Sequence, residues 1–182
     1  MVQFETFDDG VEAKGQTIKS MLAGAGDLSS VFEKRMNEML AENGIEDLQA
    51  DEWYSNQAYL DSFEAVADSI GEQTVANIGK KIPENAEWPP GIDSVSAGLE
   101  SIDDAYQMNH RGGEIGYYDF ELTGDSEGEI ACKNPYPCAM DEGLVTAVAE
   151  KFSAEGALVE VEEVGDSCRA SGGEECVYRV SW

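Results

Sequence analysis

EIGYYDFELTGDSEGEIACK, residues 114–133, reads as two strands folded about a Gly-Asp-Ser-Glu-Gly turn. Toward the C-terminus, Asn134-Pro135-Tyr136-Pro137 is a rigid turn. Residues 141–156, DEGLVTAVAEKFSAEG, then carry Leu144, Val145, Val148 and Phe152 at the spacing of an amphipathic helix. Two more strands follow, ALVEVEEV at 157–164 by its alternation and CVYRVSW at 176–182. The unit is β-β-α-β-β.

Toward the N-terminus the character is helical. Leu99, Ile102, Tyr106 and His110 share one face that ends at Gly112-Gly113. ENAEWPPG, residues 84–91, is a loop, because Pro89-Pro90-Gly91 cannot continue a helix. Val75, Ile78 and Ile82 repeat helically up to Pro83, and Tyr59, Leu60, Phe63, Val66, Ala67 and Ile70 form a cleaner stripe stopped by Gly71. Leu28, Val31, Phe32, Met36, Met39 and Leu40 mark a further helix closed by Asn43-Gly44, and VQFETF at 2–7 alternates like a short strand or an ordered lead-in. Helices first and then β-β-α-β-β predict an α+β fold, with N-terminal helices packed on an antiparallel sheet. One domain is expected over 1–182, with a helical half at 1–98 and an α+β half at 99–182.

Charge narrows the function. Asp and Glu number 38 against 11 Lys and Arg, a formal net charge of −27, and the acids are spread over the whole chain. That distribution fits a protein adapted to molar salt, where repulsion within a carboxylate-covered surface is screened. The expected source is a halophilic archaeon and the expected location its cytoplasm. Nothing resembles a basic stripe, so no direct nucleic-acid partner is expected, and anionic membranes are disfavoured for the same reason. The stretch MVQFETFDDG lacks the apolar core of a secretory leader, and no run of 18 apolar residues is present. The four cysteines are therefore expected in a reducing compartment, where clusters point to metal or redox chemistry before structural disulfides.

Cys138 follows the proline turn at a helix start, Cys168 leaves a strand, and CRASGGEEC loops back to Cys176 at the next strand. Thiolates at such converging ends suit a closed tetrahedral zinc site. Buried unligated cysteines and redox pairing are the competing readings. The helix, strand and terminal C-R-A-x-G-x-x-x-C-x-[YF] pattern resembles the 4-vinyl-reductase-type domain, of the fold group that includes nitric-oxide-signalling haem domains and Golgi-transport tethering subunits. The resemblance covers residues 99–182. It implies a small α+β module, often dimeric, that senses small molecules and binds zinc through three cysteines and a glutamate. Cys138, Cys168 and Cys176 match those cysteines, whereas Gly165 stands where the family has its glutamate. The fourth ligand is open among Cys132, Glu163 and Asp166. Haem is not expected, because the haem-binding relatives' tyrosine-serine-arginine signature is not visible.

His110 is the only histidine. At a helix end it can cap the last carbonyls, hydrogen-bond a ligand in a pocket or serve as an axial ligand to haem. Trp88, Tyr106, Tyr117, Tyr118 and Phe120 are candidates to line that pocket, with core packing as the alternative. Arginine occurs four times, at 35, 111, 169 and 179, and Arg111 is a candidate for a buried carboxylate pair or an anionic ligand, with a plain helix-end cap as the alternative. No catalytic motif accompanies the single histidine, so an enzyme is weakly supported. The leading expectation is a non-catalytic sensor or adaptor with a structural zinc site. It would take a small apolar or aromatic ligand and signal as a homodimer or through a protein partner. The alternatives are a structural assembly subunit or a reductase acting on a pigment precursor.

Overall fold

The computed structural model describes residues 3–86, 88–165 and 168–182. The chain opens with β1 (Glu12–Lys14), α1 (Gly15–Leu28), α2 (Ser30–Glu42), β2 (Trp53–Ser55) and α3 (Asn56–Ile70). Next come α4 (Glu72–Gly79), α5 (Ile82–Asn85), α6 (Val95–Met108) and β3 (His110–Arg111). The C-terminal part is β4 (Tyr117–Gly124), β5 (Glu127–Lys133), α7 (Cys138–Phe152), β6 (Glu160–Glu163), a 3-10 turn (Arg169–Ser171) and β7 (Cys176–Ser181). The fold is α+β, with the β-β-α-β-β order anticipated from residues 114–182.

β4, β5, β7 and β6 form one antiparallel sheet in that spatial order. Period-2 alternation sends Tyr118, Ile130, Cys132, Cys176, Tyr178 and Val180 inward, where all six are buried. α7 packs against the sheet and against α4 and α6. The three short strands form a separate sheet, β2-β1-β3, whose last strand carries His110 directly beyond α6.

Local signals explain most boundaries. Ser29, Ser55 and Ser94 each accept a backbone N–H at the start of a helix. Gly71, at φ 77°, separates α3 from α4. Three expectations are corrected. Of the two readings of VQFETF the strand is corrected: residues 3–10 are an irregular lead-in, because Phe4 N–H donates to the Pro135 carbonyl and Thr6 is held by Gln57. Pro83 lies in the first turn of α5, where its missing N–H costs no helical bond, so it starts a short helix. The face read through His110 stops at Met108, and His110 lies in β3, paired with Ala13.

Candidate ligand pocket and thiol cluster

α3, α6, β4 and the turn before α7 each contribute one tyrosine to a shared interior wall: Tyr59, Tyr106, Tyr118 and Tyr136. With Thr17, Ile82, Trp88, Ile102, Ala105, Met140 and Leu144 they line a cavity of about 50 Å³ around His110. Burial raises the pKa of each tyrosine, so the phenols stay protonated and can donate. Tyr106 donates to the Ile115 carbonyl at 2.5 Å, and the Trp88 indole N–H donates to Ser101 Oγ at 2.9 Å.

His110 is 5% exposed. Its Nδ1 lies 2.9 Å from the Tyr106 carbonyl and its Nε2 2.7 Å from the Tyr136 hydroxyl. A carbonyl only accepts, so Nδ1 carries the proton. Burial pushes the pKa down to about 4, and the Tyr106 hydrogen bond only partly opposes it. In the neutral ring Nε2 is then an acceptor, and the single hydroxyl proton of Tyr136 is shared between it, at 2.7 Å, and Asn56 Oδ1, at 2.9 Å. His110 thus reaches a last-turn helix carbonyl with one nitrogen and the pocket wall with the other.

The pocket candidates divide. Trp88, Tyr106 and His110 meet around the cavity. Arg111 points away from it, exposed, with Nε donating to Glu12 at 2.7 Å and its guanidinium over the Trp53 ring. Tyr117 lies on the outer face of the sheet, donating to Glu175 at 2.8 Å, and that bond lifts its pKa to about 12. The buried carboxylate pair expected at Arg111 is formed by Arg169, 2% exposed, with Asp141, 0% exposed. Burial raises the Asp141 pKa, while Arg169, Tyr118 and Asn134 pull it back by donating to the carboxylate. In the sequence Arg169 stands out as one of four arginines and as the arginine of the C-R-A motif, but its partner lies 28 residues away. Tyr136 could have been noticed as the residue fixed between two prolines.

Cys138, Cys168 and Cys176 come together at the start of α7. Their sulfurs all lie within 4.8 Å of one another, a group able to hold a metal ion. Cys138 Sγ is 3.0 Å from Cys176 Sγ and 3.9 Å from Cys168 Sγ. The Cys138 thiol donates to Cys176, which lowers the Cys176 pKa to about 6 and raises that of Cys138. Gln3 Nε2 donates to Cys138 Sγ at 2.9 Å, and Arg169 N–H donates to Cys176 Sγ at 3.4 Å. Cys132 does not join the three: it is a fully buried core residue of β5, opposite Cys176 in the ladder. Glu163 lines a cleft of about 380 Å³ beside Cys138 and Cys168 without entering the cluster. Asp166 lies outside the described residues.

No family model and no curated protein matches the sequence. Solved structures do match in fold. An H-NOX protein from S. oneidensis in the Fe(II)NO ligation state aligns with a TM-score of 0.65 at 14% identity, over 92% of this chain and 98% of that one. An oxygen-binding H-NOX domain related to soluble guanylate cyclases aligns at 0.66 and 17%, over 92% and 94%. A third structure, described by the modulation of haem redox potential through porphyrin distortion, aligns at 0.66 and 17%, over 93% and 99%. These neighbours overturn the cofactor expectation of zinc with haem set aside, since they are described by Fe(II)NO, oxygen and haem. Across more than nine-tenths of its length, this chain has the fold of the H-NOX proteins.

Proposed function

We propose that the chain is a small-molecule sensor domain that reads its ligand in the cavity around His110. One observation carries this reading: a neutral imidazole held against a tyrosine wall inside a fold whose solved members are described with nitric oxide and oxygen. Haem is the group that the neighbours imply. The donor chemistry suits it, because His110 is neutral and Nε2 keeps a lone pair. The space does not: Nε2 is taken by Tyr136, and about 50 Å³ is far below the roughly 300–1,000 Å³ of pockets for larger ligands. As arranged, the pocket does not seat a tetrapyrrole. It suits a guest of a few heavy atoms, being smaller also than the roughly 150 Å³ cavity that takes benzene.

Two probes on the reduced protein test the reading. Hemin is titrated while the visible spectrum is followed, and dissolved xenon is titrated while the tyrosine ring signals are followed by NMR. Xenon bound at this cavity supports a sensor of small guests; hemin bound there supports a sensor but overturns the pocket arrangement described above. Hemin bound there loses its spectrum in His110→Ala, and xenon binding is lost when Ala105→Leu fills the space. Absence of binding by both overturns it.

The finer reading extends from this. The output passes to a protein partner or a second copy in signalling or transcription control. The three thiols are the metal site, suited to a soft divalent ion. The C-terminal half is kin to the 4-vinyl-reductase-type domain, and residues 1–182 act as one domain in a salt-rich cytoplasm.

A further inference from the structure

Arg169 touches both the thiol cluster and the cavity wall. Its main-chain N–H donates to Cys176 Sγ. Its guanidinium grips the turn that carries Tyr136, donating to the Asn134 carbonyl, to Asn134 Oδ1 at 2.8 Å and to the Tyr136 carbonyl at 2.9 Å. It also pairs with Asp141 on α7, which takes the hydroxyl of Tyr118, another cavity residue. The turn itself joins the two places. Tyr136 and Cys138 stand two residues apart on a segment stiffened by Pro135 and Pro137.

One pair of these sulfurs stands closer than a bound metal would hold it. Tetrahedral thiolates bound at about 2.3 Å lie roughly 3.8 Å apart. Cys138 and Cys168 already have that separation, at 3.9 Å, but Cys138 and Cys176 are only 3.0 Å apart. Loading therefore separates this pair by about 0.8 Å. Both sulfurs are tied to what must follow, Cys138 through the turn and Cys176 through Arg169. A close-packed interior transmits such a shift instead of absorbing it.

We infer that the thiol cluster regulates the cavity: metal loading at Cys138, Cys168 and Cys176 is transmitted through Arg169 and the Asn134–Cys138 turn to the Tyr136–His110 hydrogen bond. This rests on the cavity being the sensing site. A ligand read there and a metal at the sulfurs then alter each other's affinity by the same factor, about five-fold or more for a typical coupling. A purely structural Arg169 would hold the turn in place and leave His110 indifferent to the sulfurs.

The single histidine makes the test direct, because ¹⁵N-histidine labelling reports on His110 alone. Cd²⁺ is titrated into the reduced protein while thiolate–metal absorption and the His110 ring ¹⁵N signals are followed. Both are expected to change together and saturate at about one metal per chain. In Cys168→Ser both changes weaken together. In Tyr136→Phe the thiolate absorption persists while the ring signals no longer follow it.

The inference is overturned if the wild type gives no thiolate absorption, or loads fully with His110 unmoved. It is also overturned if the ring signals still move in Cys168→Ser without thiolate absorption, since the metal would then act on the imidazole itself. A Tyr136→Phe response as large as the wild type's overturns it too. Should Tyr136→Phe fail to fold, the wild-type and Cys168→Ser titrations decide the matter. Failure of hemin and xenon to bind would sink the sensor reading while leaving this readout intact, so the two failures are distinguishable.

Discussion

Burial, not a charged partner, sets the protonation of His110, and this gives stability a pH dependence of known sign. The unfolded chain binds a proton near the ordinary value of 6.5 and the folded chain only near 4. Between those values the unfolded state holds more protons, so stability falls as pH falls. The contribution is fully present above 6.5 and is lost as pH drops through 4, about 3 kcal/mol in all. Urea unfolding of the wild type at pH 7.5 and pH 5 should show about 2 kcal/mol more loss than His110→Gln, which cannot take up this proton. Equal losses would mean that the ring titrates in the fold as it does in the unfolded chain. The histidine was legible as a helix-end group, because its place after the stripe of α6 is a sequence fact. The choice among arginines was not. Arg111 and Arg169 both follow a candidate ligand residue, and only tertiary packing sets Arg169 against Asp141 while leaving Arg111 against Glu12 at the surface.

Where α4 crosses α7, two glycines replace side chains with backbone contact. A Cβ on Gly143 would come 1.9 Å from the Ala76 carbonyl oxygen, and one on Gly79 would come 2.2 Å from that of Met140. The obstacle is backbone on both sides, so neither helix can yield by turning a side chain. Gly143→Ala, favourable by helix propensity alone, should therefore destabilise the protein by about 1–3 kcal/mol through overpacking. Thermal unfolding tests this, and a neutral or stabilised variant would show that the crossing is looser than described. Because α7 also begins at Cys138, the variant should weaken Cd²⁺ binding at the sulfurs as well. Helices α3 and α6 were legible because their apolar stripes are long and have clear stops. α1 was not, since Gly15, Gly24 and Gly26 interrupt its pattern and each packs close to another segment. VQFETF misled because alternation does not reveal that Phe4 and Thr6 bond to the Pro135 turn and to Gln57, far away in sequence.

At the scale of the molecule, the β-β-α-β-β order showed which strand ends converge, so three of the cysteines were legible as a group. The cavity was not, because its walls come from segments as far apart as Thr17 and Leu144 and no local pattern ties Tyr59 to Tyr136. Charge acts at this same scale. On the outer face of the sheet Glu121 stands opposite Glu129, and Arg179 opposes Glu129 and Glu162. Like charges directly opposite in a ladder destabilise it, and one arginine does not offset three glutamates. Added to a net charge of −27, this makes self-repulsion a main term at low salt. The Debye length falls from about 30 Å at 0.01 M to about 3 Å at 1 M, so salt should silence repulsion at the surface while leaving the buried Arg169–Asp141 pair intact. Melting temperature should rise steeply between 0.01 M and 1 M KCl, by about 2–4 °C for each kcal/mol of repulsion removed. Replacing Glu121 and Glu162 by Gln should raise the low-salt melting temperature and flatten the curve. A wild-type curve insensitive to KCl would mean that the acids are too widely spaced to oppose folding, and the salt-adapted reading of the surface would fail with it.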